Sequence, residues 1–105
     1  MMVNNKKGVI MDTKTILSKI KKYKEIHPQY EIDEIGIFGS FARGEANDSS
    51  DIDVYVKLQK SNLFLLSKIR IELEEVLGKS VDLVQVRDRM NNYLKNHIQK
   101  ESISA

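Results

Sequence analysis

Residues 34–56, EIGIFGSFARGEANDSSDIDVYV, decide the fold of this chain. The segment opens with Glu34-Ile35-Gly36-Ile37-Phe38, a short β-prone run that stops at Gly39, so a first strand is predicted there. It closes with Ile52-Asp53-Val54-Tyr55-Val56, a second strand. Alternation sets Ile52, Val54 and Val56 on one face of that strand and Asp51, Asp53 and Tyr55 on the other. Residues 40–50 between them are rich in glycine, serine and acids, which predicts a turn and loop with one helical turn inside. A connection this short lets the two strands lie antiparallel.

Working outward, residues 13–27 read as a helix. Asp12 or Thr13 can cap it, and Ile16, Leu17, Ile20 and Tyr23 form its apolar stripe. His27-Pro28 ends it, because a residue before proline resists the helical conformation. On the other side, residues 62–77 read as a helix with Ser61 as cap and Gly78 after its last turn. Its stripe is Leu63, Leu66, Ile69 or Arg70, Leu73, Val76 and Leu77. Residues 81–86 are a third strand, and Asp88 opens a last helix to about residue 99 with Met90, Leu94 and Ile98 facing inward. The tail, residues 101–105, is an edge strand or frayed. A helix joins the second and third strands, so a right-handed parallel crossover is expected. The predicted class is α/β of the α+β kind: a small mixed sheet of three to four strands with helices packed on one face. Residues 1–12 read as a flexible lead-in and 13–105 as one domain.

Composition narrows the function. The chain has 105 residues, 41% hydrophobic and 30% charged, which suits one globular domain. Net charge is only +2, and the densest basic run, Lys19-Ile20-Lys21-Lys22-Tyr23-Lys24, reads as a solvated helix face, so there is no strong nucleic-acid signal. Cysteine is absent, which excludes disulfides and thiolate metal sites and fits a cytoplasmic location. No apolar stretch is long enough to span a bilayer, and residues 1–11 are too polar for a signal peptide.

The chemistry concentrates at two places. Asp51 and Asp53 project side by side from one strand face. Two carboxylates so placed repel each other unless a cation lies between them. Asp82 lies inside the apolar run Val81-Asp82-Leu83, where a lone buried carboxylate needs a partner or a metal. If the second and third strands are neighbours, Asp82 lies beside Asp53, and three carboxylates can hold two metals about 4 Å apart. The second place is Gly39-Ser40-Phe41-Ala42-Arg43-Gly44. Gly39 permits a tight turn, and Ser40 begins a short helix whose N–H groups and hydroxyl suit phosphate. Arg43 either neutralises phosphate or pairs with Glu45. An Asp-x-Asp pair alone is usually a solvent-facing strand end, and a Gly-Ser pair alone is a common turn. Their value lies in their joint placement around one loop.

Gly39-Ser40-Phe41-Ala42-Arg43-Gly44 followed by Ser50-Asp51-Ile52-Asp53-Val54 resembles the signature of the DNA polymerase beta-like nucleotidyltransferase superfamily. Within it, residues 13–100 are most similar to the minimal nucleotidyltransferases, antitoxins of HEPN-type ribonuclease toxins. The resemblance implies that Asp51, Asp53 and Asp82 are catalytic metal ligands, and that Gly39 and Ser40, with Arg43 and Ser50, bind nucleotide. It implies Mg²⁺, with two ions, and ATP as donor. It implies transfer of AMP to a tyrosine hydroxyl of a cognate HEPN toxin, and so a hetero-oligomer, with homodimerisation allowed. Two other functions remain open: an antitoxin that neutralises by binding alone, and a small-molecule nucleotidyltransferase of the aminoglycoside type. Three clustered acids argue against the first, and the lack of room for an acceptor-holding domain argues against the second.

Overall fold

In the computed structural model the described residues are 12–47, 49–60, 62–87 and 102–105. The first helix, α1, is Thr13–Ile26. Asp12 caps it, its Oδ1 accepting the Thr15 N–H at 2.8 Å. Thr13, the other candidate cap, turns its hydroxyl elsewhere. The helix stops before His27-Pro28, and one unexpected 3₁₀ turn, Pro28–Tyr30, follows. Glu31 then adopts a left-handed conformation, φ 54°, and redirects the chain into a strand.

That strand, β1, is Ile32–Phe38 and starts two residues before the predicted Glu34. The register shifts between Ile32 and Glu34. This irregularity lets Ile32 and Ile35, three apart, both reach the core, and it hides the strand's start from a period-two reading. A short helix, α2 (Ser40–Arg43), supplies the helical turn expected in the loop. Strand β2 is Ile52–Leu58, helix α3 is Leu63–Leu77, strand β3 is Val81–Gln85, and strand β4 is Ile103–Ser104. Ser61 lies outside the described residues. Asn62 caps α3, its Oδ1 accepting the N–H groups of Phe64 and Leu65 at 2.8 and 3.2 Å. Gly78 closes the helix at φ 72°. The expected lead-in up to residue 11 and the last helix with Met90, Leu94 and Ile98 lie outside the described residues.

The strands form one sheet in the order β3-β2-β1-β4. β1 runs antiparallel to β2 and to β4, whereas β2 and β3 are parallel, joined through α3. The mixed sheet is therefore as predicted, with the tail as its edge strand. Helices α1 and α3 cover one face. Ile16, Ile20 and Tyr23 of α1, Ile35 and Ile37 of β1, Ile52, Val54 and Val56 of β2, and Ile69, Leu73 and Leu77 of α3 fill the space between. Burying each such side chain stabilises the fold by about 1.5–3 kcal/mol before entropy is counted. The four-residue spacing Ile69–Leu73–Leu77 sets the buried line of α3. Leu63 and Val76, expected in that stripe, fall off it and are exposed.

A polar tie pins the helices together. The Tyr23 and Tyr30 hydroxyls both donate to Glu72 Oε1, at 2.8 and 3.0 Å. Burial, then the bond to Glu72, raises the pKa of both phenols. The Glu72 carboxyl is held below its usual value: burial opposes this, but the two hydroxyls outweigh it.

Candidate active site

The second sheet face carries the acids. The parallel register pairs Asp53 of β2 with Asp82 of β3, and the antiparallel register pairs Asp53 with Phe38 of β1. Register partners share a face, so Asp53 and Asp82 stand on one row. Asp51 lies one residue before β2 and is exposed, as is Asp82, while Asp53 is half-buried. Burial first, then the negative charges of Asp82 and Asp51, pushes the Asp53 carboxyl above the ordinary carboxylate range, while Arg43 opposes them. Among the described residues, no three acidic or histidine side chains are drawn together to ligating distance. The three carboxylates are neighbours that repel one another, not a closed cluster.

The glycine turn abuts this row. Gly39 has φ 75° and ψ −150°, a conformation that side chains rarely adopt. A Cβ built there would collide with Asp53 Oδ2. The absence of a side chain at position 39 thus brings the start of α2 against the Asp53 carboxylate. The turn is held by the Arg43 N–H donating to Gly39 O at 3.1 Å and the Glu45 N–H donating to Ser40 O at 2.8 Å. Phe41 is buried beneath it, and the Thr13 hydroxyl donates to Phe41 O at 2.6 Å. Helix α1 therefore braces the turn, a role for Thr13 that sequence reading missed because its partner lies 28 residues away.

Of the two roles weighed for Arg43, the structure shows the pairing with Glu45. Its Nε lies 2.9 Å from Glu45 Oε1, and its charge reaches Asp53. Ser50 is placed differently from the other site residues. Its Oγ accepts the Asn47 N–H at 3.0 Å, and its own N–H donates to Asn47 O at 3.0 Å. The Ser49 N–H and hydroxyl donate to Asn47 Oδ1. Ser50 thus helps form an asparagine-centred turn that delivers Asp51 to the start of β2. An asparagine three residues before a serine is a common turn pattern, and that was the signal for it.

Tyr55 shares the acidic face, as its spacing from Asp53 predicts, but it is buried. Its hydroxyl donates to Glu34 Oε2 at 2.8 Å and lies 2.8 Å from Ser104 Oγ, which also bonds Glu34. Ser104 and Tyr55 hold the Glu34 carboxyl below its usual value. Gly36 makes room for the ring: a Cβ there would lie 2.7 Å from Tyr55 Cε1. No local pattern in the sequence pairs Tyr55 with the tail.

All the donors on this row are carboxylate oxygens, and Asp53 is burdened with excess negative charge. Such a set fits a hard divalent cation such as Mg²⁺, which takes its remaining ligands from water and phosphate. A family model described as polymerase beta, nucleotidyltransferase matches residues 18–104. The chain belongs to this nucleotidyltransferase family. It is 37% identical over 97 residues to a candidate protein adenylyltransferase, MJ1379, of Methanocaldococcus jannaschii, covering 90% of this chain and 95% of that one. It is 38% identical over 78 residues to protein adenylyltransferase MntA of Thermococcus cleftensis, covering 73% and 74%. Among solved structures, a candidate minimal nucleotidyltransferase superposes with a TM-score of 0.76 at 29% identity, over 91% of this chain and 98% of that one. One chain of the complex described as tri-AMPylated Shewanella oneidensis HEPN toxin with MNT antitoxin shares the fold, with a TM-score of 0.61 at 18% identity over 85% of this chain and 70% of that one. The nucleotidyltransferase is thus an enzyme of α+β architecture, and the fold expected from residues 34–56 is the one its relatives adopt.

Proposed function

We propose that this nucleotidyltransferase moves AMP from ATP to a tyrosine hydroxyl of a HEPN-type toxin and so acts as its antitoxin. The observation that carries this reading is the register that sets Asp53 beside Asp82, with the Gly39 turn pressed against Asp53. The names of the relatives support an adenylyl donor and a protein acceptor. The toxin complex with the same fold supports the kind of partner.

Asp51, Asp53 and Asp82 would hold two Mg²⁺ ions, which would supply positive charge to the phosphates and make the acceptor hydroxyl easier to deprotonate. The chain's own residues do the rest. The Ser40 hydroxyl and the N–H groups opening α2 bind the β- and γ-phosphates. Arg43 neutralises part of their charge. Asp82, exposed on its strand, takes the proton of the acceptor hydroxyl. The acceptor oxygen forms a bond to the α-phosphorus in line as the bond to pyrophosphate breaks. AMP on the toxin then blocks its site by bulk and negative charge.

The test is intact-mass measurement of the partner toxin after incubation with this chain, Mg²⁺ and each nucleoside triphosphate in turn. A gain of a whole number of AMP residues, from ATP alone, is expected. Asp53→Ala should abolish both the gain and the protection of a host expressing the toxin. Full protection by a folded Asp53→Ala chain would instead establish neutralisation by binding.

A further inference from the structure

Opposite its core face, helix α3 carries two exposed apolar side chains, Phe64 and Ile71, on a stripe with charged residues. Phe64, Lys68, Ile71, Glu75 and Gly78 recur at spacings of four, three, four and three, which sets them on one stripe. Phe64 is 89% exposed and Ile71 50%, on a helix whose other side buries Ile69, Leu73 and Leu77.

The stripe is complementary to itself. Take a twofold axis passing Ile71, with two copies of α3 packed antiparallel. Ile71 then meets Ile71 of the partner. Lys68, three residues before, faces Glu75, four residues after. Phe64, seven before, faces Gly78, seven after. Gly78 has no side chain, and a Cβ there would meet nothing within 4 Å, so this end of the helix leaves room for an incoming ring. Reciprocal placement of a cation and an anion, and of a knob and a gap, is what an isologous contact requires. We infer that this face binds a second copy of the chain, making a twofold dimer through α3. Lys68 Nζ lies 5.5 Å from the Tyr30 ring centroid, and the dimer would draw it from that contact toward Glu75.

This inference does not depend on the reaction proposed above. The stripe lies on the helical layer, whereas the acids lie on the other face of the sheet, so a dimer of this kind leaves both acidic faces open to acceptor proteins.

Sedimentation equilibrium of the full chain tests the inference. The wild type is expected to dimerise below roughly 100 μM. Phe64→Asp and Ile71→Glu should be monomeric with unchanged circular dichroism, since neither side chain is in the core. Lys68→Glu and Glu75→Lys should each weaken the dimer about fivefold or more, because the twofold axis repeats each repulsion. The double variant should restore it. A wild-type monomer, leaving the face to a different protein, would overturn the inference. So would a dimer indifferent to Phe64→Asp, or a charge exchange without recovery.

Discussion

The two faces of the sheet are built by opposite rules. Toward α1 and α3, β1 and β2 present Ile35, Ile37, Ile52, Val54 and Val56, and no side chain there has chemistry to offer. Away from the helices, the same strands present Glu34, Gly36, Asp53 and Tyr55, with Asp82 alongside. One face gains stability by excluding water. The other gives some of it up, since Asp53 is half-buried among like charges. A period of two residues lets seven-residue strands do both, and it predicts that stability and activity respond to different substitutions.

The sharpest break should come from Asp53→Asn. Transfer should fall at least about a thousandfold, as expected when one member of a cooperating group is removed. Without metal, the variant should melt no lower than the wild type at neutral pH and somewhat higher, because the raised pKa shows that the ionised Asp53 carboxylate opposes folding. A transfer assay checks the first half and thermal melts without Mg²⁺ the second, and a strongly destabilised Asp53→Asn would contradict the picture of this face.

Leu73→Ala tests the other face. Its side chain is fully buried, and truncation should cost about 3 kcal/mol in urea unfolding. Transfer per folded molecule should stay near that of the wild type. Gly39→Ala lies between the two faces in kind. The left-handed backbone costs about 1–3 kcal/mol, and the new Cβ must displace the Asp53 carboxylate. Stability and transfer should therefore fall together, which kinetics and melting on one sample would show.

The smallest effect is expected from Tyr55→Phe, about 1 kcal/mol for the lost hydroxyl. Its signature is in the pH dependence. Glu34, held low by Ser104 and Tyr55, contributes stability that is present above the ordinary carboxylate value and lost as pH falls through its lowered folded value. Removing one of the two bonds brings the folded value nearer the unfolded one, so the variant should lose less stability than the wild type on acidification, the gap between them closing at low pH. Asp53 contributes with the opposite sign: its raised folded value favours the native state when protonated, and that contribution is lost as pH rises through it. Melting temperature measured across acidic pH for Tyr55→Phe and Asp53→Asn separates the two.

Much of this could be read from the chain itself. Residues 34–56 announce two strands and a phosphate-type turn because glycine and alternating apolar residues are local signals. The helix between β2 and β3 then forces the parallel crossover that sets Asp82 beside Asp53. Other features were hidden because their causes are distant. The start of β1 is masked by the register shift at Ile32, and Glu31 turns the chain without a glycine. Leu63 and Val76 are apolar, so the sequence assigned them to the core, and only the packing of α3 shows that they face water. Thr13 bracing Phe41, and Ser104 closing on Tyr55 and Glu34, join residues far apart in sequence and leave no local pattern.

The most direct measurement is the rate of nucleotidyl transfer by Asp82→Asn, with folding checked by circular dichroism. If carboxylates from β2 and β3 act as one unit, this single change on β3 should reduce the rate at least about a hundredfold, and the double variant with Asp53→Asn should be little slower than Asp53→Asn alone. A folded Asp82→Asn chain that transfers as fast as the wild type would contradict the account, since the two strands would then not share a reaction.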